Sequence, residues 1–85
     1  MKEIHIDCLN LDSPKQLHEL LQEIMSFPDW YHPNLDALHD CLTAICEDTH
    51  LFISNFSVLP PAFRGFHLVL QDAENENPHF YVTFQ

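Results

Sequence analysis

The sequence predicts a small α/β domain in which about three parallel strands carry helices packed on the sheet. Alternating apolar residues occur near both ends of the chain, and a short apolar run lies in the middle. Segments with helical periodicity separate these strands, a pattern typical of parallel strands joined by right-handed crossovers. The chain has 85 residues, enough for one modest core, so we expect residues 1–85 to form one domain.

The first strand and first helix have clear local signals. Residues 2–8 place apolar side chains on one face only, as in a half-buried strand. A helix then begins at residue 12 or 13, because Ser13 and Gln16 fit a capping box and Pro14 takes the first helical position. Its apolar stripe consists of Leu17, Leu20, Leu21, Ile24 and Met25.

The first helix is expected to end at Pro28, and residues 27–33 form a loop rich in aromatic residues. Asn34 is then positioned to cap a second helix, which terminates at residues 47–49. Its core-facing residues recur at steps of three and four: Leu35, Leu38, Leu42 and Ile45.

Two further strands are predicted at residues 50–56 and 80–84. The region between them is ambiguous. Phe63, Phe66, Leu70 and Ala73 have helical spacing. However, Phe66, Leu68 and Leu70 also alternate as in a strand. Local propensity leaves both interpretations open for residues 66–70.

The composition is strongly acidic. Thirteen Asp and Glu residues face only Lys2, Lys15 and Arg64, which gives a formal net charge of −10. Such a surface repels nucleic acid and anionic membranes and attracts basic partners, although acidity can also serve solubility alone. Gly65 is the single glycine, which excludes phosphate-binding loops that need several glycines. No apolar run approaches the ~18 residues that span a membrane.

The cysteine pattern indicates reduced thiols. The chain has an odd number of cysteines, the three residues Cys8, Cys41 and Cys46. The N-terminus does not resemble a signal peptide. We therefore expect free cysteines and a cytoplasmic protein. Because Leu38 and Leu42 share its helix, Cys41 is predicted to be a buried, inert thiol rather than a nucleophile.

The segment with the most functional information lies on the second helix and the loop before it. Asp36 and Asp40 are four residues apart, so they project from one helix face without a nearby Lys or Arg. Repulsion between these two like charges costs the helix about 0.2–0.5 kcal/mol. Trp30 and Tyr31 occupy the loop, where we expect large aromatics to be exposed more often than in a core. For Trp30 the alternative is that its ring covers the core. Exposed aromatics beside unpaired carboxylates favour a protein-binding hot spot over a merely solvated helix face.

Other functions fit the residues less well. Paired carboxylates in acid–base catalysis need a concave pocket, which an exposed helix face does not offer, so we do not expect an enzyme. His32, Asp36, His39 and Asp40 could in principle ligate a metal, but surface histidines without metal are the better interpretation. We therefore predict no metal and no cofactor.

The same segment resembles the barstar family of ribonuclease inhibitors. The family pattern has paired aromatics, a Gly, then Asn-Leu-Asp-Ala-Leu, an aromatic residue and Asp-Cys-Leu. The matching residues are Trp30, Tyr31, Asn34, Leu35, Asp36, Ala37, Leu38, Asp40, Cys41, Leu42 and Thr43. The resemblance extends over most of the chain, and residues 69–84 align with the family's last helix and strand, which favours a helix for the ambiguous region. The stretch before that helix looks shorter than in the founding member, which implies the loss of a small helix.

The resemblance implies a role for individual residues. Asp40 stands where the family's anchoring aspartate imitates a substrate phosphate against the enzyme's arginines and catalytic histidine. Asp36 stands at the position whose side chain contacts a further basic group of the enzyme. Trp30 replaces a tyrosine that packs over the enzyme's catalytic site. Asp72 falls at an acidic position of the last helix.

Two residues depart from the family pattern. His32 takes the Gly position, and His39 takes the aromatic position before Asp40, where a histidine could add pH sensitivity. With Tyr31 and Asn34, they complete the predicted partner-binding residues. The expected function is stoichiometric inhibition of a small basic ribonuclease or nuclease toxin by a protein that is monomeric when free. The alternative is an acidic interaction module that binds a basic non-nuclease partner.

Overall fold

Three parallel strands form one sheet in the computed structural model, which describes residues 1–85. Their order is β1 (Lys2–Asp7), β2 (Thr49–Ser54) and β3 (Phe80–Phe84). In the register, Ile4 lies opposite Leu51, and Leu51 lies opposite Val82. With the three helices described below, this confirms the predicted α/β fold with a small parallel sheet.

The helices are α1 (Pro14–Met25), α2 (Leu35–Thr43) and α3 (Arg64–Glu76). The chain passes from β1 to β2 through α1 and α2, and from β2 to β3 through α3. Both connections step in the same direction across the sheet, so right-handed crossovers place all three helices on one face. This topology leaves the opposite face of the sheet without a helix.

The burial of the strands follows this one-sided arrangement. Ile4, Ile6, Leu51 and Ile53 alternate with exposed or half-buried neighbours and point into the core. On the open face, the Phe52 ring stacks between two imidazoles. Its centroid lies 4.6 Å from that of His5 and 4.0 Å from that of His50. The alternation seen in the sequence therefore separates a covered face from an open one.

Helix α1 begins where its capping residues predict. The Ser13 side chain accepts a hydrogen bond from the Gln16 backbone N–H at 3.4 Å. The Gln16 side chain in turn accepts from the Asp12 backbone N–H at 2.6 Å, one residue earlier than in a standard capping box. The helix ends at Met25 rather than at Pro28, because Ser26 adopts the left-handed conformation with φ 56°.

Helix α2 is shorter than the sequence predicts. Its cap is confirmed, since Asn34 Oδ1 accepts from the Ala37 backbone N–H at 2.8 Å. The helix ends at Thr43 instead of continuing toward Glu47. β2 likewise begins at Thr49 and ends at Ser54, before the predicted limit at residue 56.

Two short 3-10 turns, Phe56–Val58 and Pro61–Phe63, connect β2 to α3. The ambiguous residues 66–70 are helical, as the family resemblance favoured. A Cβ atom at Gly65 would clash with Cδ1 of Leu35. The absence of a side chain at this position leaves room for Leu35, at the start of α2, against α3.

The core lies between the sheet and the helices. Its largest fully buried side chains are Phe63, Phe66, Phe80, Leu17, Leu21, Leu38, Leu42, Leu51, Ile53 and Leu70. Cys8 and Cys41 are also buried, whereas Cys46 is exposed, and all three are free cysteines. Burial raises the pKa of the Cys8 and Cys41 thiols, so the predicted inert character of Cys41 is consistent with its environment. None of the helices has the length and apolar character needed to cross a membrane.

Candidate functional site

Helix α2 presents two exposed carboxylates on the side away from the core. Leu38, Cys41 and Leu42 are buried, which turns Asp36 and Asp40 toward solvent as predicted. Every ion pair in the structure involves a histidine, namely His5–Glu3, His39–Glu76 and His79–Asp48. Asp36 and Asp40 thus have no basic partner within the chain.

His39 connects this surface to α3. Its Nε2 contacts a carboxylate oxygen of Glu76 on α3, and the two helices pack against each other. Asp72, also exposed, lies one helical turn before Glu76 on the same face. We call the exposed carboxylates of Asp36, Asp40, Asp72 and Glu76 the acidic surface.

Glu76 was not among the sequence-predicted site residues. Glu76 could have been predicted from its four-residue spacing from Asp72, since positions i and i+4 share a helix face. The His39 contact ties Glu76 to the helix that carries Asp36 and Asp40. It also means that His39 is engaged within the chain, which the sequence did not indicate.

The two loop aromatics point in opposite directions. The Trp30 side chain is exposed, with 59% of its surface accessible, as predicted. The prediction that Tyr31 is also exposed is wrong, because only 6% of Tyr31 is accessible. The Tyr31 backbone N–H donates to the Pro28 carbonyl at 3.0 Å, and this turn directs the Tyr31 ring inward against Phe27, with 5.1 Å between centroids.

A buried polar contact keeps Tyr31 in the core. Its hydroxyl shares a hydrogen bond with Nδ1 of His18 on α1, at 2.5 Å. The His18 ring in turn packs against Phe66 of α3, with 4.6 Å between centroids. Burial raises the pKa of Tyr31 to about 12, so its hydroxyl stays protonated. The pair fixes the loop to α1 and leaves Trp30 as the aromatic available to a partner.

Burial of His18 predicts a loss of stability in acid. It lowers the pKa of His18 from its ordinary 6.5. Near pH 6.5 the unfolded chain takes up a proton at His18, while the folded chain does so only at lower pH. Above pH 6.5, His18 therefore does not reduce the free energy of unfolding. As pH decreases from 6.5 toward the lowered pKa, the free energy of unfolding falls, with a limiting slope of about 1.4 kcal/mol per pH unit.

Urea denaturation between pH 7.5 and pH 5 measures this slope. His18→Leu should reduce the dependence on pH, because the titrating imidazole is removed, even if the variant is less stable at every pH. The matched control is His32→Leu, which removes an exposed histidine and should retain the wild-type slope. An unchanged slope in His18→Leu would assign the acid sensitivity to other groups.

His32 and Asn34 have different local roles. His32 is exposed, and its carbonyl accepts from the Asn34 backbone N–H at 2.7 Å. The Asn34 side-chain oxygen caps α2, so this residue has a structural function whether or not it also contacts a partner. No group of three or more His, Cys, Asp or Glu side chains in the structure is arranged to hold a metal ion.

Comparison with known proteins supports the family resemblance. The family model described as Barstar (barnase inhibitor) matches residues 1–85. A Bacillus subtilis (strain 168) protein named "Putative ribonuclease inhibitor YrdF" is 35% identical over 82 residues, covering 89% of each chain. The chain, with its three-stranded parallel sheet and its acidic second helix, belongs to the barstar (barnase inhibitor) family.

Proposed function

We propose that this protein inhibits a basic ribonuclease stoichiometrically by covering its active site with α2 and the loop before it. The observation that carries the proposal is Asp40, an exposed carboxylate in the middle of a helix with no basic partner in the chain. Asp36 and the exposed Trp30 extend the same surface. Membership of a family described by its inhibition of a ribonuclease supports this role over catalysis.

Charge supports a basic partner. The chain carries a formal net charge of −10, and the acidic surface concentrates carboxylates from two helices. Such a surface accelerates encounter with a positively charged active site, while desolvated aromatic and charged side chains at its centre supply affinity. Asp40 would occupy the position of a substrate phosphate, and Asp36 and Asp72 would meet further basic groups.

A second candidate is an acidic interaction module that binds a basic non-nuclease partner. The observation that favours it is the pair of departures from the family pattern, His32 and His39. His39 is held by Glu76, so the surface around Asp40 differs from that of a member with an aromatic residue there. A partner other than the founding member's nuclease would account for this difference.

The two candidates differ in one measurable result. The basic protein that copurifies with this chain from its native cell extract should cleave RNA, and one equivalent of the chain should abolish that cleavage. The association rate should fall between low and high salt by a factor of about 10 to 10³, because screening removes electrostatic steering. Tight binding without inhibition would favour the interaction module, and a salt-independent rate would contradict steering.

A further inference from the structure

An open cleft lies directly beside Asp40, between the end of α1, the following loop and the last turn of α2. Its volume is about 240 Å³. Its apolar lining consists of Met25, Phe27, Pro28, Trp30, Ala44 and Ile45. Ser26, Asp40 and Cys41 also line it, and no Lys, Arg or His does. The cleft therefore combines an apolar interior with a single negative charge.

The walls of the cleft are held by the fold. The left-handed conformation of Ser26 ends α1 and redirects the chain, so that Phe27 and Trp30 line the same opening. Phe27 packs against Tyr31, which is itself bonded to His18 at 2.5 Å. The cleft thus exists before a partner arrives, which lowers the cost of ordering on binding.

We propose that this cleft receives one apolar, ring-sized side chain of the partner, inserted beside the basic group that meets Asp40. This inference rests on the proposed function and specifies the partner's chemistry: a basic site flanked by a protruding aromatic or large aliphatic residue. A cavity of 150 Å³ accommodates benzene, so about 240 Å³ is sufficient for such a side chain. Interface anchors of this kind fill pockets next to desolvated charge pairs.

A substitution that fills the cleft with a side chain of this protein tests the proposal. Ala44 is exposed at the end of α2 and lines the cleft, so Ala44→Phe should occupy it and leave Asp40 unchanged. We expect inhibition of the copurifying ribonuclease to weaken about 30-fold or more, since an anchoring side chain is excluded. The matched control is Ala62→Phe, at an exposed alanine outside the cleft, which should inhibit like the wild type.

A second measurement uses the unmodified protein. The chain contains two methionines, Met1 and Met25. Met25 lines the cleft, whereas Met1 is 69% exposed at the N-terminus. In protein with ¹³C-labelled methionine methyl groups, binding of the unlabelled ribonuclease should shift the Met25 signal, produce contacts to partner side-chain protons and leave Met1 unchanged.

The outcomes separate this inference from the proposed function. If the wild type does not inhibit the ribonuclease, the proposed function fails. If it inhibits but Ala44→Phe binds within twofold of the wild type, or Met25 shows no partner contacts, the cleft is not occupied and only the further inference is overturned.

Discussion

Replacing Asp40 with Ala should weaken ribonuclease inhibition by about 2 kcal/mol or more, or roughly 30-fold, because a charge pair at the centre of the interface loses one member. The same change should leave the free energy of unfolding equal or slightly higher. Asp40 is exposed and makes no side-chain hydrogen bond or ion pair. Ala is also the better helix former, by several tenths of a kcal/mol, and the repulsion from Asp36 is removed.

Urea denaturation and an RNA-cleavage assay of the same samples measure both effects. The matched control is Glu3→Ala, which removes one negative charge from the open face of the sheet, on the side opposite the helices. It should change the association rate slightly and the inhibition constant by less than twofold. A large loss of stability in Asp40→Ala would indicate a structural role, and unchanged inhibition would refute Asp40 as the anchor.

Local sequence signals predicted the elements that depend on local chemistry. Pro14 and Asn34 mark helix starts that the structure confirms, because capping uses atoms within one turn of the chain. The exposure of Asp36 and Asp40 also followed from helical periodicity around Leu38 and Leu42. Residues 66–70 were different, because their apolar spacing fits both a helix and a strand, and only packing in the whole fold decides between them.

The burial of Tyr31 and the contact of His39 depend on residues that are distant in sequence. Tyr31 is buried because His18, 13 residues earlier, provides a partner for its hydroxyl. His39 contacts Glu76, 37 residues later, across the helix pair. Neither contact has a local signal, since it depends on how α1, α2 and α3 pack. The predicted exposure of Tyr31 therefore rested on its loop position alone.

Asn77, at the end of α3, makes another contact between residues distant in sequence, because its side chain bonds to the chain at the end of α2. It is 4% exposed, and its side-chain Nδ2 donates to the carbonyls of Leu42 at 2.9 Å and Ile45 at 3.0 Å. Its Oδ1 accepts from the His79 backbone N–H at 3.0 Å. These bonds satisfy the Ile45 carbonyl just beyond α2 and add a second donor to the Leu42 carbonyl, which also accepts from the Ile45 backbone N–H at 3.4 Å. They connect the two helices that form the acidic surface.

Replacing Asn77 with Ala should therefore lower the free energy of unfolding by about 2–4 kcal/mol, because the Ile45 carbonyl and the His79 backbone N–H lose their partners and the Leu42 carbonyl loses its shorter hydrogen bond. For a domain of this size, each kcal/mol lowers the melting temperature by about 4–8 °C. Urea and thermal denaturation measure the loss. The matched control is Asn75→Ala, on the exposed side of α3 with no side-chain hydrogen bond, which should change stability by less than about 0.5 kcal/mol. Equal stability of the two variants would show that water replaces the Asn77 bonds and that the contact between α2 and α3 does not depend on them.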